Sequence, residues 1–380
     1  MRVAVNLEQL LSPSPGGVGR YAAKLVSNLA LLGVEVQPVV ARHSPQEVKA
    51  AWDDFGLHAL PEPRRLPLPR SLLYDSWHVL AWPPLSSGPS TDVLHAPSLA
   101  VPPKNGKPLV VSVHDAAPWL FPEAFTRRGR WFHTMGARAV ARRADRVITG
   151  TQAAAAELVR CMSLPESRIR VVPYGVDLPP PAPGTDDRDQ FLRRHRLDDV
   201  PYVLWVGSLE PRKGVGTLVA AMAGLARRSG GSASPASLVL AGYAGWHNSE
   251  LVAAGDRDFL GPAFRLFGRV SEADLQALYS GAAVFAFPSL HEGFGLPVLE
   301  AMAAGAPVVA SDIPAIREVA GGAATLVAPG DVNAWTEALE AALAGAGRAR
   351  WVEAGRRRAA GFSWSSTAAA TLDVYKEVRA

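Results

Sequence analysis

The sequence predicts an α/β protein made of two Rossmann-like domains. Short apolar runs alternate with helical stretches along the whole chain of 380 residues. The runs are apolar throughout instead of alternating in polarity, which is typical of parallel strands buried on both faces. A hydrophobic content of 48% supplies enough apolar side chains for two cores. The chain therefore predicts two open parallel sheets covered by helices.

The first series of elements defines an N-terminal domain over residues 1–178. Its predicted strands cover residues 2–7, 34–40, 92–97, 108–115 and 145–150. A helix over 18–30 is expected after the first strand, and residues 124–147 are predicted as one long basic helix. The Pro-rich, then acidic, stretch 179–190 is interpreted as an interdomain linker.

The second series defines a C-terminal domain over residues 191–364. Its predicted strands cover residues 202–207, 237–242, 264–268, 283–289, 307–312 and 325–329. A helix over 296–304 lies between the fourth and fifth of them, residues 231–235 are predicted as a loop, and a last helix is expected within the segment 365–380.

Composition narrows the function classes. The single cysteine, Cys161, excludes an internal disulfide framework and indicates a reducing compartment. The N-terminus lacks the pattern of a signal peptide, and no apolar run is long enough for a membrane span, so a cytoplasmic protein is expected. Zinc-ligand spacings and ribonucleoprotein motifs are missing, which disfavours nucleic acid as a partner.

Positive charge is concentrated in the first half of the chain. Ten of its arginines lie in two short segments of the chain: Arg64, Arg65, Arg70, Arg127, Arg128, Arg130, Arg138, Arg142, Arg143 and Arg146. An ordinary surface helix is one interpretation of the basic segment 124–147. The other is a basic amphipathic face that contacts anionic lipid head groups or a phosphorylated acceptor, with the protein peripheral at the inner membrane face.

Two glutamates separated by seven residues, Glu292 and Glu300, carry the strongest chemical signal. Glu292 lies in a glycine-flanked turn after an apolar strand, and Glu300 lies about two helical turns later. Because a helix N-terminus presents backbone N–H groups and partial positive charge, an anion site is predicted at Phe294, Gly295 and Leu296. Carboxylates only accept hydrogen bonds, so the pair suits a polyhydroxylated ligand. Taken alone, this spacing is equally typical of a solvated helix face.

With its neighbours, this turn belongs to the run HEGFGLPVLEAMAAGAPVVASD at residues 291–312. The run resembles the donor-binding motif of the retaining glycosyltransferases of family 4, which have the GT-B fold. The resemblance extends over nearly the whole chain and is stronger in the second half. It implies two Rossmann-like domains with parallel sheets facing across a cleft, and a last helix that crosses back to the first domain.

The run VGSLEPRKG at residues 206–214 places Arg212 and Lys213 after a predicted strand. Ligands of open α/β sheets bind at this edge, and two cations there suit a diphosphate. They would stabilise the charge that grows on a leaving phosphate, without the need for a metal ion. Many family members have an arginine where this chain has Ser208, so Arg212 is expected to replace that cation.

Resemblance also assigns roles in the first domain. The glycine-rich loop with Gly16 and Gly17 would close over the donor, and it is no dinucleotide fingerprint. His114 is expected to contact the transferred sugar near its reacting carbon, with Asp115 either orienting it or capping a helix. His95 and His291 are held as supporting residues.

The family binds the nucleotide base with the backbone equivalent to Gly268, Arg269 and Val270, which precede a predicted Ser271 helix cap. The implied reaction is transfer of a sugar from a nucleoside diphosphate sugar to a hydroxyl, with retention of configuration. Glu292 and Glu300 are then binding residues first, since no hydrolase-like carboxylate pair is indicated.

GDP-mannose is favoured as the donor over UDP-sugars, because both chemical motifs look most like those of mannosyltransferases. No further cofactor is expected. The acceptor is a glycan, a glycolipid or a small molecule, with a lipid-linked or anionic acceptor favoured by the basic segment. Two alternatives stay open: a sugar-nucleotide 2-epimerase of the same fold, and a non-catalytic nucleotide-sugar-binding module.

Overall fold

A computed structural model describes residues 1–86, 88, 90–177, 185–229, 236–242, 260–345 and 347–379. The chain divides into two compact units. The first comprises Met1–Gly175 together with Ser363–Ala380, and the second comprises Val176–Phe362. Across the described ranges, no helix combines the length and the apolar content that crossing a membrane requires.

The sheet of the first unit is parallel, with the strand order β3-β2-β1-β4-β5-β6-β7 among the described residues. Its strands are β1 (Arg2–Asn6), β2 (Glu35–Val40), β3 (Arg64–Arg65), β4 (Val93–Ala96), β5 (Leu109–Ser112), β6 (Arg146–Thr149) and β7 (Ile169–Val171). The five predicted strands are confirmed. Strands β3 and β7 were not predicted, because they have only two and three residues, too few to show a periodic pattern of apolar side chains.

Helices connect these strands. They are α1 (Gly16–Leu31), α2 (Pro45–Asp54), α3 (Arg70–Val79), α4 (Ala117–Leu120), α5 (Arg127–Arg143) and α6 (Gln152–Met162). Short 3-10 helices cover Glu8–Leu11, Pro122–Ala124 and Glu166–Arg168. The predicted single helix over 124–147 was too long. It begins at Arg127 behind the Thr126 cap, whose hydroxyl accepts from Gly129 N at 3.1 Å, and Arg146 already belongs to β6.

The second unit contains a parallel sheet with the order β10-β9-β8-β11-β12-β13. Its strands are β8 (Tyr202–Val206), β9 (Ser237–Ala241), β10 (Phe264–Gly268), β11 (Val284–Phe287), β12 (Val308–Ser311) and β13 (Thr325–Val327). All six were predicted. Every residue of β11 and β12 is buried, as expected for strands covered on both faces.

The described helices of the second unit are α7 (Thr185–Arg194), α8 (Val215–Arg228), α9 (Glu272–Gly281), α10 (Leu296–Ala304), α11 (Pro314–Ala320), α12 (Val332–Leu343) and α13 (Arg348–Ala359). Short 3-10 helices cover Pro211–Lys213 and Gly261–Ala263. Part of the predicted linker 179–190 lies outside the described residues, as does the predicted loop 231–235. Residues 185–190 belong to α7, because acidic side chains favour the positive end of a helix dipole as well as a solvated linker.

The last helix, α14 (Trp364–Arg379), belongs to the first unit and packs on α1 and on β4, β5 and β6. A buried chain of hydrogen bonds ties it to the sheet. Tyr375 Oη lies 2.6 Å from His95 Nδ1, His95 Nε2 lies 2.9 Å from Ser112 Oγ, and Ser112 Oγ lies 2.9 Å from Tyr21 Oη on α1. His95 therefore joins the last helix to the sheet, which explains its burial at a strand end.

Candidate active site

Two adjacent strands of the second sheet continue into the loops that carry the chemical motifs. From β8 the chain proceeds to β9 and β10 on one side, and from β11 to β12 and β13 on the other, so the order reverses between β8 and β11. Ligands of open α/β sheets bind outside such a reversal point. At this reversal point the loop that follows β8 contacts the loop that follows β11, since Leu290 N donates a hydrogen bond to Arg212 O at 2.7 Å.

The centre of this contact is an ion pair. Lys213 Nζ lies 2.6 Å from Glu292 Oε1, and Arg212 Nη1 lies 3.9 Å from Glu292 Oε2. The Lys213 and Glu292 side chains are only 13% and 9% exposed. Burial alone would raise the pKa of Glu292, but the two cations outweigh it and the pKa lies below its usual range. Glu292 is therefore held ionised, which suits binding better than general-base work.

Two glycines with positive φ angles lie in the turns that carry the two motifs. Gly214 has a φ of +67°, and a Cβ atom there would lie 2.0 Å from Pro288 O, just after β11. A side chain at position 214 would therefore prevent the two loops from meeting. Gly295, at the start of α10, has a φ of +96°, a backbone conformation that residues with a side chain rarely adopt, so it permits the turn that leads into α10.

A third carboxylate, Glu210, was not identified from the sequence. Ser208 Oγ donates to Glu210 Oε1 at 2.6 Å, and Arg212 Nε donates to Glu210 Oε2 at 2.9 Å. Glu210 thus joins Ser208, where the family often has an arginine, to Arg212, the expected replacement. Its position between the two was the available signal, but a glutamate in a turn has no distinctive pattern of its own.

We expect Glu210→Gln to raise the KM for the sugar nucleotide about tenfold with a smaller change in kcat, because a charge-assisted hydrogen bond that orients Arg212 is lost. Steady-state kinetics at varied donor concentration checks this. Glu353→Gln is the matched control, since it breaks an exposed pair with Arg357. A lower donor KM in Glu210→Gln would show instead that Glu210 competes with the donor for Arg212.

Glu300 lies on α10 and is buried, with 7% of its surface exposed. Tyr279 Oη donates to Glu300 Oε2 at 2.9 Å. Tyr279 comes from α9, which ends before β11, so sequence spacing could not associate it with Glu300. The prediction that Glu300 binds the donor stays a prediction.

The predicted helix N-terminus is present at α10, which begins at Leu296 behind Gly295. The Phe294 side chain is buried, and its ring centroid lies 6.1 Å from that of Phe362. Phe294 therefore anchors the turn in the core, and only its backbone is suited to a ligand. The macrodipole of α10 adds partial positive charge at this end of the helix.

Of the residues assigned to the nucleotide base, Gly268 ends β10, and Arg269 and Val270 follow it at the same carboxyl edge of the sheet. Gly268 has a φ of +65°, and no atom of the described residues lies within 4 Å of the place its Cβ would take. Space for a planar group is thus present beside the backbone. The predicted Ser271 cap is confirmed, because Asp274 N donates to Ser271 Oγ at 3.1 Å.

Acidic pairs elsewhere bear on the question of a metal ion. The sequence contains Asp-x-Asp at 187–189 and at 256–258. In the first triplet, on α7, Asp189 Oδ1 pairs with Arg188 at 2.8 Å, and the second lies outside the described residues. Within the described part of the chain, no group of three or more His, Cys, Asp or Glu side chains is arranged to hold a metal. Metal independence stays a prediction.

His114 lies just after β5 in the first unit. Its Nε2 lies 2.9 Å from Pro97 O, and its Nδ1 lies 2.8 Å from Tyr174 Oη. Since a carbonyl only accepts, Nε2 carries the proton and Nδ1 accepts from the tyrosine. Burial lowers the pKa of His114, so the ring is neutral. Both ring nitrogens of His114 are thus engaged in hydrogen bonds. A sugar hydroxyl could hydrogen-bond to this ring only by replacing Pro97 or Tyr174 as its partner.

Asp115 acts as a cap, one of its two expected roles: its Oδ1 accepts from Ala117 N at 3.0 Å, at the start of α4. Gly16 and Gly17 form the first turn of α1, so the helix begins two residues earlier than predicted. Among the described residues no atom lies within 4 Å of a Cβ atom at either glycine, and both are exposed, which leaves their backbone accessible to a ligand. This turn follows β1, beside the reversal point of the first sheet between β1 and β4.

Comparison with known proteins agrees with this architecture. Residues 15–179 match the family described as Glycosyltransferase Family 4, and residues 200–345 match the one described as Glycosyl transferases group 1. The Mycolicibacterium hassiacum MMP alpha-(1->4)-mannosyltransferase is 31% identical over 409 residues, which cover 95% of each chain. The Escherichia coli O-antigen chain mannosyltransferase B is 28% identical over 99% of this chain and 100% of that protein.

The Salinispora tropica D-inositol 3-phosphate glycosyltransferase is 36% identical, but over 64% of this chain and 53% of that protein. Among solved structures, the Anabaena protein HepE in complex with UDP-glucose has a TM-score of 0.74 at 18% identity, covering 99% of this chain and 100% of that one. The sucrose-phosphate synthase from Thermosynechococcus elongatus has a TM-score of 0.72 at 24% identity, covering 99% and 98%. These two likenesses concern the fold.

The chain has two parallel-sheet units, and in the second unit cations and carboxylates lie where the strand order reverses. Together with the family match and the structural likeness, this defines a glycosyltransferase of the GT-B fold. The full-length match to a relative at 31% identity places it in a family. The chain belongs to glycosyltransferase family 4.

Proposed function

We propose that this glycosyltransferase transfers mannose from GDP-mannose to an acceptor hydroxyl with retention of configuration and without a metal ion. The observation that carries the proposal is the buried cluster of Arg212, Lys213 and Glu292 at the reversal point of the second sheet. Mannose is favoured because two relatives that match nearly the whole chain are named mannosyltransferases. UDP-sugars are the second choice, and UDP-glucose is the ligand of HepE.

The electrostatics of the cluster favour a diphosphate leaving group. In the unliganded cluster the Lys213 ammonium is neutralised by Glu292, and the Arg212 guanidinium by Glu210. When the sugar–phosphate bond breaks, negative charge grows on the departing phosphate. Cations that are already held in place stabilise this charge with little reorganisation, which lowers the barrier. Lys213 and Arg212 thereby take the role that a divalent ion has in other phosphate sites.

Retention follows in this proposal from reaction on one face of the sugar, with the leaving diphosphate helping to deprotonate the acceptor hydroxyl. Glu292 is a poor nucleophile and base, because Lys213 and Arg212 hold its pKa low after offsetting the effect of burial. Its proposed task is to position Lys213 and to accept hydrogen bonds from sugar hydroxyls. Glu300 accepts from a more distant hydroxyl of the same donor. His114, Gly16 and Gly17 keep their proposed roles in the first unit.

The acceptor is proposed to be the hydroxyl of a glycan, a glycolipid or a small molecule, with an anionic or lipid-linked acceptor favoured. The names of three relatives mention an O-antigen chain, MMP and D-inositol 3-phosphate. These names support a glycan or a phosphorylated small molecule as the acceptor. The basic surface of the first unit supports this preference.

The experiment that tests the proposal incubates the purified protein with GDP-mannose, UDP-glucose or UDP-N-acetylglucosamine. Thermal stabilisation and release of the nucleoside diphosphate are measured. We expect GDP-mannose to stabilise the protein most and to release GDP slowly without an acceptor, and we expect NMR of a glycoside product to show the donor's anomeric configuration. An epimerised donor would identify a 2-epimerase, and stabilisation without release would identify a binding module. Either result contradicts the proposal.

A further inference from the structure

The first unit exposes a cluster of large apolar side chains at the end of α3. Val79, Leu80 and Trp82 are 62%, 72% and 51% exposed. Leu72, about two helical turns before Val79 on α3, is 55% exposed. Residues 79–82 thus form a continuous exposed apolar tetrapeptide, Val-Leu-Ala-Trp. Single exposed apolar residues are ordinary, but a contiguous group marks an interaction site.

The position of this tetrapeptide is held from below by hydrogen bonds. Trp77, which is fully buried, donates from Nε1 to Pro83 O at 2.8 Å, and Ser76 Oγ donates to Trp82 O. The carbonyl groups of Trp82 and Pro83 are therefore satisfied inside the unit, while the side chains of residues 79–82 are exposed. The exposure is a consequence of how the turn is anchored.

Helix α5 extends the surface. Arg128 pairs with Asp75 of α3 at 2.5 Å, and its guanidinium carbon lies 4.9 Å from the ring centroid of Trp131. The Trp131 ring, itself 36% exposed, lies 6.4 Å from the ring of His78, the residue before Val79. Trp131 and the exposed tetrapeptide are therefore neighbours on one surface.

The arginines of the basic segment separate into two groups. Arg143 is used inside the unit, donating from Nη1 to Trp77 O at 2.7 Å, and Arg146 pairs with Glu377 at 2.7 Å. Arg127, Arg130, Arg138 and Arg142 are exposed. Positions 127, 131, 138 and 142 recur at helical spacing, so Trp131 lies on the same face of α5 as three of the exposed arginines. Asp75, the acidic group facing them from α3, is already paired with Arg128.

We propose that this apolar–basic patch, comprising Leu72, Val79, Leu80, Trp82 and Trp131 with Arg127, Arg138 and Arg142 of α5, docks the enzyme on an anionic bilayer. Arginines bind lipid phosphates, while tryptophan and aliphatic side chains enter the boundary between head groups and acyl chains. Exposed arginines beside an exposed apolar turn fit this surface. The proposal deepens the proposed function, on which it rests for a lipid-linked acceptor, and adds the residues that bring the enzyme to it.

The test is sedimentation of the full chain with vesicles of phosphatidylglycerol or of phosphatidylcholine. We expect binding to the anionic vesicles only. Leu80→Ser with Trp82→Ser, and separately Arg127→Gln with Arg138→Gln, should each weaken binding about tenfold or more. Two control pairs change the same chemistry elsewhere: Leu31→Ser with Leu32→Ser on exposed residues at the end of α1, and Arg350→Gln with Arg357→Gln on α13. These should bind like the wild type.

Diphosphate release from the donor, measured without vesicles, keeps this test separate from that of the proposed function. Patch variants should release it at the wild-type rate, because the patch contains none of the residues assigned to the donor. Equal binding of patch variants and wild type, equal binding to both lipids, or no binding by an active enzyme would overturn the docking proposal. So would a dimer in solution that Leu80→Ser dissociates, since a second copy would then cover the patch. Failure of release in the wild type would instead contradict the proposed function.

Discussion

Replacing Lys213 by methionine is expected to lower kcat about 100- to 1,000-fold, because one preorganised charge contact to the leaving phosphate is lost. The same change leaves Glu292 buried without its closest cation. Removing one partner of a buried ion pair costs about 3–5 kcal/mol of stability, so the variant should also unfold more easily. Kinetics at saturating donor, together with thermal unfolding at pH 7, measures both effects.

A second variant separates the catalytic effect from the structural one. Lys213→Met combined with Glu292→Gln removes both charges, so it should recover most of the lost stability while activity stays low. Lys376→Met is the matched control, because Lys376 pairs with Asp373 at 2.8 Å on the surface, with side chains 60% and 72% exposed. Recovery of activity in the double variant would show that Lys213 serves only to neutralise Glu292, and the site assignment would be wrong.

Acid is expected to destabilise the first unit well above the range in which carboxylates titrate. Burial lowers the pKa of His95 to about 3, with a further contribution from His114, and lowers that of His133 to about 4. Burial also lowers the pKa of His78 and of His114. The unfolded chain binds these protons below about pH 6.5, and the folded unit binds them only at lower pH.

Protonation therefore favours the unfolded state. The stabilising contribution is complete above about pH 6.5 and is lost as the pH falls toward the folded-state values. For His95 and His133 together, the loss at pH 5 is roughly 4 kcal/mol. Thermal unfolding between pH 8 and pH 5 measures it.

His133→Phe is the informative variant, because His133 packs between Phe125 and Phe132 with ring centroids 5.2 and 5.3 Å away. An apolar ring there removes the titration with little change in packing, so stability should fall less steeply with acid. His58→Phe, at a side chain that is 69% exposed, should leave the slope unchanged. Equal slopes for wild type and His133→Phe would contradict the assignment of this loss to buried histidine.

The parts of the fold that could be predicted from the sequence are those whose signal is local. Eleven of the thirteen strands in the described ranges were recognised from apolar runs, because a strand buried on both faces is apolar at every position. The exceptions, Arg64–Arg65 and Ile169–Val171, are edge strands of two and three residues. Their pairing depends on a neighbour distant in the sequence, which no local pattern reports.

The ten arginines of the first half show where local signals fail. By sequence they form one basic group, yet Arg64 donates to the carbonyls of Pro84 and Leu85, and Arg70 pairs with the buried Glu8 at 2.7 Å. Arg143 and Arg146 are likewise engaged within the unit. Which guanidinium groups face solvent depends on partners 20 to 231 residues away along the chain, such as Glu377 for Arg146. Charge composition therefore overstated the basic surface.

Local sequence patterns are sufficient to predict the class of this protein: two α/β units, and a strand–turn–helix that carries Glu292 and Glu300. These depend on hydrophobic periodicity and on glycines at fixed spacing, which are properties of adjacent residues. The folded chain was needed to show that Lys213 pairs with Glu292, that Glu210 bonds to Arg212, and that both nitrogens of His114 are engaged. Such contacts escape sequence patterns because parallel strands bring distant loops together at one edge of a sheet, where short-range ionic contacts form between residues that are far apart in the sequence.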